Sequence, residues 1–182
     1  MARILGIDPG STASGWGVVQ DTNGRLQFIA AGVIRPQRSL SRAEKLTHIF
    51  EEICALIEAW SPEAAAVEET FVNASPRDAL VLGEARGVAL MAPAFKGLSV
   101  TSYAANTVKK SVVGRGHAEK SQVQAMVKVL LPASGKQPAD AADALAIAIC
   151  HAHHHSSPAN GSGSKGLGAK GSGVGRQARG VA

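Results

Sequence analysis

Ile4-Leu5-Gly6-Ile7-Asp8-Pro9-Gly10 is an apolar strand that runs into an acid and then a turn. Ile4, Leu5 and Ile7 suit a buried strand over Arg3–Asp8, and Pro9-Gly10-Ser11-Thr12 stops it. The motif recurs at Ala64–Glu68, a second short buried strand that ends on acids. Between them, Gly15–Asp21 and Arg25–Ile34 read as strands joined by Asn23-Gly24, a strong hairpin signal. Ser41-Arg42-Ala43-Glu44 is a capping box, followed by Leu46, Ile49, Phe50, Ile53, Ile57 and Trp60 at helical spacing. Ser75-Pro76 starts another helix, running to about Met91, and Leu98–Tyr103 is a further strand. Helices over Ala118–Leu131 and about Ala139–His153 complete the pattern. The order predicts an α/β sheet covered by helices. The opening meander makes that sheet mixed.

Composition narrows the class. The 182 residues are 45% hydrophobic but only 4% aromatic, so the core is aliphatic and belongs to one domain. No apolar run is long enough to span a membrane, and the N-terminus does not read as a signal peptide. Cys54 and Cys150 sit in apolar helical patterns, which predicts two buried free thiols and a cytoplasmic protein. Residues 156–182 are Gly, Ser and Ala with Lys165, Lys170, Arg176 and Arg179 and no acid, which reads as a disordered basic tail. That tail holds four of the net five positive charges, so residues 1–155 form a nearly neutral domain. Any anion-binding surface there must come from a local cluster.

The acids supply the chemistry. Asp8 and Glu68 or Glu69 stand at strand ends, where α/β sheets gather ligands. Neighbouring strand residues face opposite sides, so one glutamate enters the site, and spacing alone does not choose it. Asp140 and Asp143 are three apart in a first helical turn, hence on one face. Converging carboxylates raise each other's pKa values unless cations lie between them. An all-oxygen set suits Mg²⁺ or Mn²⁺, and two such ions promote phosphodiester hydrolysis. Each acid also has a plainer reading, as a helix-start residue for Asp140 and Asp143, a turn residue for Asp8 or a surface acid for Glu68. Lys109, Lys110, Arg115, His117 and Lys120 concentrate charge across a Gly-punctuated loop entering a helix, which suits a phosphate as well as a solvated basic face.

The motifs together resemble the RuvC resolvases. Ile4–Gly10 is similar to that family's N-terminal motif, and Ala66-Val67-Glu68-Glu69-Thr70-Phe71 to its second, an acid with an aromatic three residues on. Leu82-Gly83-Glu84-Ala85-Arg86-Gly87 resembles its central helix. Val112-Val113-Gly114-Arg115-Gly116 and Ala118–Val123 resemble its basic loop and following helix, and Asp140-Ala141-Ala142-Asp143-Ala144-Leu145-Ala146 its last motif. The resemblance spans about residues 1–153, in family order. It implies an RNase H-like fold with a mixed five-stranded sheet flanked by helices. It implies a homodimer that nicks opposed strands of a Holliday junction with Mg²⁺ or Mn²⁺, two ions per site, in recombination and repair. By motif the catalytic and metal-binding acids are Asp8, Glu68, Asp140 and Asp143, with the Phe71 spacing selecting Glu68. Lys109 and Lys120 match lysines near the scissile phosphate. The family works with the RuvA and RuvB branch-migration proteins.

Other features stay open between two readings. Phe71 either stacks on an unpaired base or closes the core. Ala79, Gly83, Gly87 and Met91 form a smooth stripe at steps of four, either a dimer contact or tight packing on the chain's own sheet. His151, His153, His154 and His155 read as a frayed polar helix end rather than a metal site. The rivals to a resolvase are an actin-like ATPase, for which the chain is too short, a plain RNase H, and a module that binds junctions without cutting.

Overall fold

The structure, a computed structural model, describes residues 1–10, 12–69 and 75–156. Phe71 and the basic tail from residue 157 onward lie outside these described residues. The elements are β1 Ala2–Asp8, β2 Ser14–Thr22, β3 Arg25–Ile34, α1 Arg42–Trp60, β4 Ala64–Glu69 and α2 Pro76–Phe95. They continue with β5 Ser99–Ala104, α3 Ala105–Val113, α4 Lys120–Leu130 and α5 Ala139–Ser156. The strands form one five-stranded sheet in the order β3-β2-β1-β4-β5. β1 pairs antiparallel with β2 and parallel with β4, so the expected mixed sheet is present.

Local chemistry explains the elements. The hairpin turns on Asn23 and Gly24, both at positive φ, and the Asp21 side chain accepts from the Gly24 N–H at 2.7 Å. The Ser41–Glu44 capping box opens α1. Ser75 caps α2, with Pro76 in its first turn.

Alternation along the strands divides the core. Leu5, Ile7, Val18 and Val67 face α1 and α2, packing with Ile49, Ile53 and Ala89. Ile4, Val19 and Ala66 face the other way, packing with Val108, Val123, Leu145 and Ile149 from α3, α4 and α5. The alanines of β4 suit a strand covered on both faces, where Ala65 and Ala66 are fully buried. Cys54 and Cys150 are buried free thiols, as expected. No helix among the described residues is long and apolar enough to cross a membrane.

Two sequence expectations are corrected. The basic segment read as a loop is helical over Ala105–Val113, so Lys109 and Lys110 stand on α3 and only residues 114–119 connect it to α4. That helix lacks a side-chain cap and is rich in β-branched residues, so it carries no start signal. Burial of Val108 and Val112 against the α5 side of the core holds it, and Gly114 ends it at φ 86°. The histidine end is not frayed. α5 continues to Ser156, and His151 is buried, with its Nδ1 3.0 Å from the Tyr103 hydroxyl.

Candidate active site

β1 and β4 run parallel with Ile7 beside Val67, so their next residues, Asp8 and Glu68, come side by side at the strand ends. The pleat settles which glutamate enters. Ala66 faces α5 and Val67 faces α1 and α2, so Glu68 returns to the α5 side and Glu69 does not. The Arg86 side chain, reaching from α2, fixes this end of β4. Its Nε donates to the Glu68 carbonyl at 3.3 Å and its Nη2 to the Ser102 hydroxyl at 3.2 Å.

Glycines bring the other two acids in. Gly15 pairs with Asp8 across β1 and β2, and Gly6 pairs with Gly17. A Cβ added at Gly15 would stand 1.9 Å from the Asp140 carbonyl oxygen, and one at Gly6 would stand 2.1 Å from that of Ala144. The bare backbone is therefore the seat on which α5 lies. Without side chains there, the first turn of α5 descends onto the sheet and carries Asp140 and Asp143 to the end of β1. Strand-interior glycine was the available sequence signal for this approach.

The resulting site is acidic at its centre and basic at its edge. Burial pushes the Asp8 carboxyl up to about 7, aided by the charges of Glu68, Asp143 and Asp140 and opposed by Lys120. Glu68 is raised by burial and by Asp143, against the pull of Lys109, Lys120 and a hydrogen bond shared with Asp8. Asp143 is raised by burial despite its ion pair with Lys120, whose Nζ lies 2.5 Å from its Oδ2. That pair holds the Lys120 ammonium above its ordinary value. Asp140 turns outward to Arg35, at 3.7 Å. A cleft of about 160 Å³ opens beside Glu68 and Asp143, lined also by Lys109, Lys120, Val108 and Val123.

The other sequence candidates separate. Lys109 faces the acids, whereas Lys110, one residue on, is exposed and lines a different groove with His117, His153 and His154. Arg115 is exposed just past the end of α3. Gly83 and Gly87 are exposed, with nothing within 4 Å of an added Cβ. Packing of the stripe on the chain's own sheet is thereby overturned. On the same helix Leu80, Met91 and Phe95 are 66%, 54% and 71% exposed. His151 is occupied with Tyr103, and burial lowers its pKa to about 4, with His155 and His154 adding to the effect. It is a core histidine.

The fit to a metal follows from the donors. Asp8, Glu68 and Asp143, three carboxyls whose ionisation the site disfavours, stand with Asp140 as a hard, all-oxygen set that suits a divalent cation. Among the described residues no three His, Cys, Asp or Glu side chains already stand close enough to hold a metal jointly. In this arrangement Lys120 neutralises Asp143, and Asp8 and Glu68 share a hydrogen bond. The donor chemistry fits a cation.

A mixed sheet flanked by helices, with acids gathered from two strand ends and a helix start, defines an RNase H-like protein. The family model described as Crossover junction endodeoxyribonuclease RuvC matches residues 4–151, and the chain belongs to the RuvC family. A crossover junction endodeoxyribonuclease RuvC of Methylocella silvestris is 57% identical over 145 residues, covering 80% of this chain and 82% of that protein. Its counterpart in Xanthobacter autotrophicus is 53% identical, covering 80% and 86%. The structure of T. thermophilus RuvC in complex with Holliday junction substrate matches with a TM-score of 0.80 at 32% identity, over 86% of this chain and 96% of that one. The yeast mitochondrial Holliday junction resolvase Ydc2 shares the fold, with a TM-score of 0.61 at 15% identity over 84% and 78% of the two chains.

Proposed function

We propose that this chain is a structure-selective endonuclease that resolves Holliday junctions, working in the cytoplasm as a homodimer that nicks two opposed strands symmetrically and leaves 5′-phosphates. The observation that carries the proposal is the convergence of Asp8, Glu68 and Asp143 at one sheet end, bordered by Lys109 and Lys120, in a member of the RuvC family. Asp8, Glu68, Asp140 and Asp143 would hold two Mg²⁺ or Mn²⁺ ions. Such ions, when bound, supply Lewis acidity and an activated water. The protein's own part is placement and charge. β1 and β4 fix Asp8 and Glu68 in register, and α5 brings the aspartates over them. Lys120 and Lys109 stand where a scissile phosphate would sit and offset its developing negative charge.

Substrate contacts extend from there. Lys110 and Arg115 bind backbone away from the cut, and Phe71 is a further candidate DNA contact. The tail from residue 156 adds contacts without sequence preference to the nuclease domain of residues 1–155. Two active sites on two strands need a two-fold dimer. The α2 stripe of half-buried Ala79 and exposed Gly83 and Gly87, flanked by exposed Leu80 and Met91, suits that contact. RuvA and RuvB are the partners that present the junction.

The test is cleavage of a labelled synthetic four-way junction beside linear duplex and RNA–DNA hybrid, in Mg²⁺, Mn²⁺ or EDTA. Paired symmetric nicks confined to the junction and abolished by EDTA are expected. Cutting of the hybrid alone, or tight junction binding with no cutting in either metal, overturns the proposal.

A further inference from the structure

A second basic cleft borders the acids on a side the motifs do not mark. It encloses about 600 Å³ between Thr12 and Ala13, in the turn after Asp8, and the segment that leaves β3 with Arg35, Gln37 and Arg38. Lys45, from the first turns of α1, also lines it, and its Nζ donates to the Arg38 carbonyl at 3.1 Å. No carboxylate is among the described residues that line it. The neighbouring charges are already committed elsewhere. Arg42 is tied to Glu84 and to the Val81 carbonyl, and the Glu44 carboxylate accepts from the Ser41 N–H at 2.7 Å. Arg35 joins the cleft to the active site, because its Nη2 is 3.7 Å from Asp140 Oδ2 while its side chain stays 59% exposed.

Three cations line one open cleft that has no carboxylate among its described lining residues, and such a cluster attracts an anion. Thr12 and Ala13, a few residues past Asp8, form part of its wall, and Arg35 reaches from it to Asp140, so the cleft adjoins the acids. Lys109 and Lys120 line a separate cleft, with Glu68 and Asp143. We infer that the cleft of Arg35, Arg38 and Lys45 binds the DNA backbone next to the cut. It takes phosphates that flank the scissile one, through Arg38 and Lys45, with Arg35 at its inner end. The inference rests on the proposed junction cleavage and names a subsite of it. A free nucleotide fits less well, because the cleft is open and carries no aromatic side chain for a base among its described lining residues.

The test uses the full chain and a fluorescently labelled synthetic four-way junction in EDTA, with affinity measured across a salt series. Each phosphate contact contributes roughly 0.9 to the slope of log affinity against log salt. The Arg38→Ala/Lys45→Ala variant is expected to lose about 1–2 from that slope and to bind roughly tenfold more weakly at about 0.1 M salt. In a second arm, single neutral methylphosphonates replace phosphates flanking the cut. Positions that weaken the wild type and leave the variant unaffected identify the contacted phosphates. An unchanged slope in the folded variant overturns the inference and leaves the cleft to some other anion, such as an acidic protein segment. Single Arg38→Gln and Lys45→Gln variants serve the same comparison if the double variant unfolds. Wild-type protein that cuts junctions while the variant slope stays unchanged sinks the cleft alone. Wild-type protein that binds linear duplex as well as junction sinks the resolvase reading, while a reduced variant slope still upholds the cleft.

Discussion

Replacing Asp8 with Asn removes a charge that the metal-free fold resists. The Asp8 carboxyl is raised from 3.8 to about 7, mainly by burial and then by Glu68 and Asp143. At roughly 1.4 kcal/mol per tenfold change in equilibrium, the ionised form is penalised in the folded state by up to about 4 kcal/mol. The sign follows from proton counting. Between pH 4 and 7 the folded protein holds a proton on Asp8 that the unfolded chain has released, so stability falls as pH rises through that window. Above it the penalty is complete; below it Asp8 is neutral in both states. Asn cannot ionise, so in EDTA at about pH 8 Asp8→Asn is expected to be more stable than wild type by as much as 4 kcal/mol, or roughly 8–16 °C in Tm for a domain of this size. At about pH 4 the two should converge. Urea and thermal unfolding at both pH values measure this directly. Adding Mn²⁺ at the higher pH should raise the wild-type Tm and raise that of the variant far less. A variant that is less stable than wild type in EDTA at the higher pH, or a difference independent of pH, would refute the electrostatic reasoning.

Further outcomes follow from the packing. Gly15→Ala places a methyl 1.9 Å from the Asp140 carbonyl, so α5 must lift. A loss of about 1–3 kcal/mol in urea unfolding is expected, with a fall in cleavage larger than any fall in junction affinity. Glu68→Gln should abolish cleavage and Glu69→Gln should leave most of it, because the pleat turns only Glu68 to the acids; equal effects in a single-turnover assay would discredit that placement. Met91→Glu, on the exposed face of α2, should yield a folded monomer by sedimentation, at wild-type helicity by circular dichroism. A dimer that persists would move the interface elsewhere.

Much of the site was legible because buried strands advertise their ends. Asp8 and Glu68 follow apolar runs too short to be anything but core strands, and Asp140 and Asp143 sit one helical turn apart after Pro138. The choice between Glu68 and Glu69 was open from spacing alone, since the Ala64–Val67 run is apolar on both faces. It needed the sheet, where Ala66 and Val67 pack into different halves of the core. The α3 helix was hidden because its stability comes from tertiary burial of Val108 and Val112, which local propensity does not register. The seat of α5 was written in Gly6, Gly15 and Gly17, residues that mean close approach only once the strands are paired. Arg86 and Arg35 touch the site from residues far away in sequence, and a single sequence carries no signal for such contacts.

On the proposed function, the carboxylates at the ends of β1 and β4 and the start of α5 cut junction DNA. The deciding experiment is single-turnover cleavage of a synthetic four-way junction by wild type and Asp8→Asn, with binding measured in parallel. The wild type is expected to nick symmetrically in Mg²⁺ or Mn²⁺, and the variant to bind the junction without cutting. Cleavage by Asp8→Asn at the wild-type rate would contradict it, and loss of binding and cleavage together would make Asp8 a structural residue.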